Sequence, residues 1–410
     1  MTAVIACGSG TATAASLDIR FTRPTCGLSP RGIADVHCDS LDDWRNTYEA
    51  NLPLAEMVED LVSRESVTRI AAMSYYLGEG FVDLLVDTYS TRSMPLRVAT
   101  DSASIALLRQ RLSEKVLAPN DLAHDLLAQS PHDANYAFHP KVVLAEYDGG
   151  ESYGLMFTSG NFRLSTRFRS HSARNYNTAN FENYGFYHAA ASDPLIARHH
   201  CLLEALERLN DDEDSRDAFS GQYQVCVHHR DLPREVDASI DLFVLPTETE
   251  ELLSILGFHL GRARRIRLAG YNAGNPLIAR LLKAAMHHGA LLQVVTDDDA
   301  CRGPLPEEDR DWYSGLRGSG ATVRYITTNS DTFSSGALTH RFHHKFMIIE
   351  AESDAVVLTG SANFTRAGFG ANVESAYLIG DSGAVAAFQI EFERYFERLA
   401  VPAEAMGSCD

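Results

Sequence analysis

The feature that most constrains this chain is a pattern it carries twice. FHPKVVLAEYDGGESYGLMFTSGNF, Phe138 to Phe162, matches FHHKFMIIEAESDAVVLTGSANF, Phe342 to Phe364, with a two-residue difference in the central turn. His139 and His343 stand 204 positions apart, about half of the 410 residues. A repeat on that scale points to two similar units fused into one globule.

The stretches upstream agree. TRIAAMSYYLGEG (Thr68 to Gly80) and RRIRLAGYNAGN (Arg264 to Asn275) each read as a strand running into a loop. FVDLLVDTY and PLIARLLKAAMHHG follow with helical periodicity, then MPLRVATD and ALLQVVTDDD as second strands. After the F-H-x-K segment each copy shows a strand, a polar turn, another strand and a Ser-x-Asn loop. Such units imply an α/β fold of two similar α-β-α halves with mixed sheets, packed around a pseudo-two-fold axis. The expected boundaries are an N-terminal tail or edge segment over 1–40, a first half over 41–209, an acidic linker over 210–220, a second half over 221–400 and a C-terminal tail over 401–410. DRDWYSGLRGSG, residues 309–320, reads as a loop excursion.

Composition narrows the function classes. The net charge of −19 disfavours a protein that merely coats nucleic acid, because phosphate neutralisation drives that binding. It is compatible with an enzyme holding a local positive cleft, and with a protein partner or homo-oligomer. No apolar run approaches the roughly 20 residues that span a bilayer, and the N-terminus lacks the charged and apolar regions of a signal peptide. No membrane role and cytoplasmic residence are therefore expected. Seven cysteines without a CxxC pair argue against a disulfide framework. His199 to Cys201, in a helical run, and Cys226 to His229, read as a short strand, lack a zinc-finger spacing, so neither a metal nor another cofactor is expected.

Residues two apart on a strand share a face. His139 therefore projects with Lys141, and His343 with Lys345, while Pro140 and His344 point away, which makes His344 a packing residue. TSGN (Thr158 to Asn161) and GSAN (Gly360 to Asn363) end the hairpin partner strands and bring Ser and Asn beside each pair. NFE and NVE add Glu182 and Glu374. These groups suit phosphodiester chemistry: one imidazole attacks phosphorus, a second protonates the departing oxygen, Lys and Asn hold the other oxygens, and carboxylates orient the rings. Arg163, Arg167, Arg169 and Arg174, interleaved with Phe162, Phe168 and Tyr176, read either as a solvated loop or as a phosphate-tracking loop at the cleft mouth. Arg262, Arg264, Arg265 and Arg267 read as lining a strand edge.

HPKVVLAE…TSGN and HHKFMIIE…GSAN resemble the paired HxK(x)4D…GSxN signature of the phospholipase D superfamily, and GSANFTRAGFGANVE resembles the stretch that follows it there. The resemblance covers most of residues 64–390. It implies His139 as the nucleophile of a phosphohistidine intermediate and His343 as general acid and then base, roles that could be exchanged on the sequence alone. It further implies Lys141, Lys345, Asn161 and Asn363 on the phosphate, Ser159 and Ser361 in support, and Glu374 and Glu182 orienting the imidazoles. Glu146 and Glu350 stand where the phospholipases have Asp, and TSGN replaces GSxN. Loss of that Asp is similar to divergent members such as the tyrosyl-DNA phosphodiesterases. The reading is a metal-independent nuclease with DNA ahead of RNA as substrate, in DNA repair, restriction or phage defence. The alternatives are a phospholipase or phosphatidyltransferase, and a binding or scaffold subunit.

Overall fold

The computed structural model describes residues 15–23, 41–92, 94–115, 126–128, 137–162, 180–208, 216–232, 234, 239–302, 307–328 and 341–406. The first half comprises β1 (Ser16–Phe21), α1 (Leu41–Ser63), β2 (Val67–Met73), α2 (Glu79–Arg92), β3 (Leu96–Thr100), α3 (Ser102–Lys115), β4 (Leu126–Ala128), β5 (Val142–Tyr147), β6 (Ser152–Thr158), β7 (Asn183–Ala190) and α4 (Pro194–Glu207). The second half begins with α5 (Arg216–His229), β8 (Ile240–Leu245), α6 (Thr249–Gly261), β9 (Arg265–Gly270), α7 (Pro276–His287) and β10 (Leu291–Asp297). It continues through α8 (Asp299–Arg302), α9 (Glu307–Arg317), β11 (Thr322–Ile326), β12 (Lys345–Glu350), β13 (Ala355–Gly360), α10 (Arg366–Gly370) and β14 (Glu374–Ile379). α11 (Ser382–Arg394), a π turn (Tyr395–Leu399), β15 (Val401–Pro402) and α12 (Ala403–Met406) complete it.

Among the described residues the sheets run β1-β7-β6-β5-β2-β3-β4 and β8-β14-β13-β12-β9-β10-β11-β15. Apart from the added β15, the two orders are the same. In each sheet the first strand of the half, β2 or β9, pairs parallel with the second and antiparallel with the strand that follows the His–Lys segment. The result is a pair of mixed α/β halves.

The apolar runs in β5 and β12 are buried on both faces, as expected for central strands. Phe346 and Ile348 join a central core drawn from both halves, whereas Met347 and Ile349 join the outer core of the second half. Val142 and Leu144 likewise face the central core, and Val143 and Ala145 the outer core of the first half. The central core also takes in Leu202 of α4, Phe219 of α5 and Phe388 of α11. Helix starts are set locally. Asp193 caps α4 and Asn275 caps α7, each accepting two backbone N–H groups, with Pro194 and Pro276 in the first turn.

Several sequence expectations are corrected. The 309–320 excursion is mostly helix α9, with Trp312 and Tyr313 buried in the outer core, because its apolar residues recur at helical rather than loop spacing. Arg216 to Ser220, assigned to the linker, and Cys226 to His229, assigned to a strand, lie in α5. Residues 401–406 are not a tail: β15 pairs with β11, and Ala403 and Met406 are buried. Cys201 and Cys226 form a disulfide between α4 and α5, which the scattered cysteine spacing did not suggest. Arg267 does not line an edge; it is buried within β9 beside Glu350 and Glu393.

Candidate active site

Two short backbone splices join the halves. On one side His139 donates its N–H to the Val373 carbonyl at 2.8 Å, and Val373 donates to Ala137 at 2.9 Å. The Asn372 side chain accepts from the Ala137 N–H at 3.0 Å. On the other side Phe181 donates to the Arg341 carbonyl at 2.9 Å, and the Asn180 side chain accepts from the Arg341 N–H at 2.9 Å. The segment before each histidine is thus laid against the segment before the other half's glutamate.

The carboxylates are consequently exchanged between halves. Nδ1 of His139 lies 2.9 and 2.8 Å from the two oxygens of Glu374, and Nδ1 of His343 lies 2.7 Å from Glu182 Oε1. Lys141 Nζ is 2.8 Å from His139 Nε2, and Lys345 Nζ is 3.0 Å from His343 Nε2. With each lysine donating to Nε2, the ring proton sits on Nδ1 and goes to the carboxylate. Nε2 then keeps its lone pair on the lysine side.

The electrostatics mark a single site. Burial pushes the His343 imidazole down to about 4 against the pull of Glu182, and Lys345 and Lys141 both lower it further. His139 is lowered by burial, partly offset by Glu374, and it too feels both lysines. Burial holds Lys141 at about 7 and Lys345 at about 8, although Glu182 and Glu374 raise both. Burial alone would raise Glu182, but His343, Lys345 and Ser159 outweigh it and leave it at about 2. An anion placed beside the two ammonium groups would restore their usual basicity.

Among the described residues the side-chain Oδ1 of Asn161 and of Asn363 is buried without a hydrogen-bond partner. Ser159 and Ser361 do not face a substrate. Both are fully buried and donate to Glu182 Oε2 and Glu374 Oε2, each at 2.6 Å, so they hold the carboxylates that hold the histidines. The TSGN departure has a local reason. Gly360 has φ +131°, and a Cβ there would meet the Ser375 carbonyl at 2.2 Å; Thr158, its counterpart, instead accepts the Gly160 N–H on its hydroxyl. Glu146 and Glu350 sit at the far ends of β5 and β12, bonded to Thr68 and Tyr153 and to Gln389. They take no part in the site.

His344 is buried on the opposite face, with Nε2 on the Tyr395 hydroxyl at 2.8 Å and Phe21, Phe342 and Phe346 around it. Phe162, grouped on sequence with the arginine loop, is a core residue 5.0 Å from Phe81. Arg163, Arg167, Arg169 and Arg174, with Phe168 and Tyr176, lie outside the described residues. The metal-like groupings at His199 and Cys226 resolve into a disulfide and into a histidine bonded to Leu195 and Tyr377. Among the described residues the group spaced to hold a metal is Asp297, Asp298 and Asp299; their oxygens accept from Thr328, Tyr271 and the Phe342 and Asp299 amides.

Sequence reasoning missed two aromatic neighbours. The Tyr75 ring lies 5.4 Å from His139, and the Tyr271 ring 5.8 Å from His343. They occupy matching positions in TRIAAMSY and RRIRLAGY, so aligning the two upstream strands was the signal that would have found them.

Residues 260–399 match the family model described as cardiolipin synthase, PLD-like domain. A mitochondrial cardiolipin hydrolase of Xenopus laevis is 33% identical over 138 residues, covering 34% of this chain and 57% of that protein. One from Chlamydomonas reinhardtii is 24% identical over 152 residues, with 37% and 59% covered. The chain thus spans a little over half the length of these curated relatives. Phosphatidylserine synthase of Haemophilus influenzae shares the fold, with a TM-score of 0.59 at 12% identity over 86% of each chain. The second half thus carries a PLD-like domain, and the first half repeats its strand order and its site groups.

Proposed function

We propose that the protein is a phosphodiesterase that cleaves nucleic-acid strands through a phosphohistidine, with DNA ahead of RNA. The observation that carries this reading is the exchanged pairing of His139 with Glu374 and His343 with Glu182, with a lysine on each Nε2. Nε2 of neutral His139 attacks phosphorus. The bond to the leaving oxygen breaks as His343 gives that oxygen its proton. Burial keeps His343 neutral in the free site, and a bound phosphate anion favours its charged form, so substrate and proton arrive together. Neutral His343 then takes a proton from water. The water oxygen attacks phosphorus and the P–N bond breaks, freeing His139. Lys141, Lys345, Asn161 and Asn363 hold the non-bridging oxygens. No step calls on a metal ion.

Nucleic acid is preferred because Tyr75, half-buried at the edge of His139, suits base stacking. Arg163, Arg167 and Arg169 are proposed as strand-tracking cations, and a second copy of the chain or a protein partner as what the acidic surface meets. Cytoplasmic residence and a place in repair, restriction or phage defence belong to the same proposal. A lipid phosphodiester is the second reading, favoured by the relatives named cardiolipin hydrolases. Among the described residues no helix is long and apolar enough to cross a membrane, which leaves a peripheral lipid enzyme open.

The test is a panel of single-stranded DNA, duplex DNA, RNA and cardiolipin vesicles in EDTA, with His139→Ala and His343→Ala beside the wild type. Nucleic-acid cleavage abolished by both substitutions is expected. Cleavage of cardiolipin alone would transfer the site to the lipid reading, and activity surviving both substitutions would overturn the mechanism.

A further inference from the structure

The two glutamates that orient the histidines are seated by different means. In the second half Glu374 lies opposite Leu245 at the end of β8, and the Leu245 side chain, buried in the outer core, has no hydrogen-bonding group to offer. The Glu374 carboxylate is steadied by Asn372, whose Nδ2 donates to Oε1 at 3.2 Å. In the first half the strand in the place of β8 is β1, and its register with β7 ends at Phe21 opposite Asn183. The next residue, Thr22, therefore faces Glu182 and stands where Leu245 stands in the other sheet.

Thr22 is buried and does more than continue the ladder. Its N–H donates to the Glu182 carbonyl at 2.9 Å, as in an antiparallel pair. The return bond from the Glu182 N–H goes to the Thr22 hydroxyl, at 2.7 Å, rather than to a carbonyl. That hydroxyl in turn donates to the Asn180 carbonyl at 2.6 Å. Asn180 is the residue whose side chain accepts the Arg341 N–H, and Glu182 is the residue whose carboxylate holds the His343 ring. Thr22 is itself braced from α1: the Asn51 side chain accepts the Arg23 N–H at 2.7 Å and donates to the Arg23 carbonyl at 3.3 Å.

We infer that Thr22 is a positioning residue for His343, acting through Asn180 and Glu182, and that the N-terminal strand is thereby part of the site. The inference rests on the phosphodiesterase reading and deepens it. One hydroxyl fixes the backbone on either side of Phe181. It so sets both the segment against which His343 is laid and the carboxylate behind its ring. Its removal deprives the buried Glu182 N–H and the Asn180 carbonyl of a partner, and the backbone must shift to satisfy them. A displacement of about 1 Å in such a contact costs up to about a hundredfold in rate. Glu374, held by Asn372, is untouched, so the defect falls on one histidine of the two.

The experiment uses whichever of single-stranded DNA, duplex DNA, RNA and cardiolipin vesicles the wild type cleaves, with Thr22→Val, Thr22→Ala, Thr22→Ser and the pair Thr22→Val with Glu182→Gln. Thr22→Val keeps the shape and removes the hydroxyl. Per folded molecule its kcat should fall about tenfold to a hundredfold, with KM within about twofold of wild type. Thr22→Ala removes the same hydroxyl with less bulk and should show the same split, so it carries the test if the valine variant does not fold. Thr22→Ser keeps the hydroxyl and should recover most of the rate. In rapid-quench trapping the hydroxyl-free variants should behave as Glu182→Gln does and not as Glu374→Gln, and Thr22→Val should add little to Glu182→Gln. A wild-type kcat without the hydroxyl, a loss that serine does not recover, or a loss that multiplies fully with that of Glu182→Gln would overturn the positioning role while leaving the phosphodiesterase standing. Failure of both hydroxyl-free variants to fold would assign Thr22 to stability alone and overturn the role equally. If the wild type cleaves none of the four substrates, the phosphodiesterase reading fails and the positioning role with it.

Discussion

Nδ1 of His139 sits 2.8 Å from Glu374, a residue 235 positions further along the chain and in the other half of the molecule. His343 and Glu182 mirror this relationship at 2.7 Å across 161 positions. Glu374→Gln and Glu182→Gln should each lower kcat by about a hundredfold to ten-thousandfold, the scale of losing the carboxylate behind a catalytic imidazole. The two defects should differ in kind. Glu182→Gln impairs the His343 base and should let acid-labile phosphoenzyme accumulate, whereas Glu374→Gln impairs His139 and should not. Rapid-quench trapping of labelled enzyme distinguishes them, and identical behaviour would contradict the assigned roles.

The alkaline limit should come from the lysines. Burial holds Lys141 at about 7 and Lys345 at about 8, so both lose charge as pH rises through that window, and with it their hold on the phosphate. kcat/KM should decline above pH 7, chiefly through KM. A profile flat to pH 10 would show that the lysines stay charged.

Three buried histidines should make the fold acid-sensitive. His344 is lowered to about 3, and His343 and His199 to about 4, in each case first by burial. The unfolded chain, with histidines near 6.5, binds more protons in this range, so their stabilising contribution is complete above about pH 6.5 and is lost as pH falls towards 3–4. Urea midpoints should drop across that interval. His344→Ala should cost about 3 kcal/mol by emptying a buried site and stranding the Tyr395 hydroxyl, a loss that equilibrium unfolding would register.

A single methyl group should unseat one carboxylate. A Cβ on Gly160 would stand 2.4 Å from the carboxyl carbon of Glu182, whereas Ala362 at the matching place is native. Gly160→Ala should therefore depress kcat by displacing Glu182 from His343, while the mirror change Ala362→Gly should have little effect. Steady-state kinetics on the two variants compare the halves directly.

The Cys201–Cys226 disulfide closes a span of 25 residues between α4 and α5. In the chain-entropy account a loop of that size contributes about 3 kcal/mol. Reduction, or Cys201→Ala with Cys226→Ala, should lower Tm by several degrees while kcat per folded molecule is kept. An unchanged Tm would show that the thiols are free in solution.

Much of the site was legible because strand geometry converts spacing into direction. The alternation His343-His344-Lys345 already separated the cleft-facing imidazole from the buried one. The repeat also implied two halves of the same build. Less legible was anything that depends on how the halves meet. Nothing in the spacing of Glu182 and Glu374 says which histidine each one serves, since the exchange is made by the splices at Ala137–Val373 and Phe181–Arg341. The serines were misplaced for a related reason: a hydroxyl beside a phosphate site and one behind it look alike in sequence. Cys201 and Cys226 lie in separate helices, and only packing brings them within bonding distance. The segment 309–320 reads as a loop because its glycines and charges mask the helical recurrence of Trp312, Tyr313 and Leu316, which face the core.

Because each histidine borrows its carboxylate from the other half, neither half can be competent alone, and both imidazoles depend on the same seam. A shift of an ångström between the halves would stretch both His–Glu bonds together. The splices thus act as an interlock, and the proposed hydrolysis would require the two units to be fully seated.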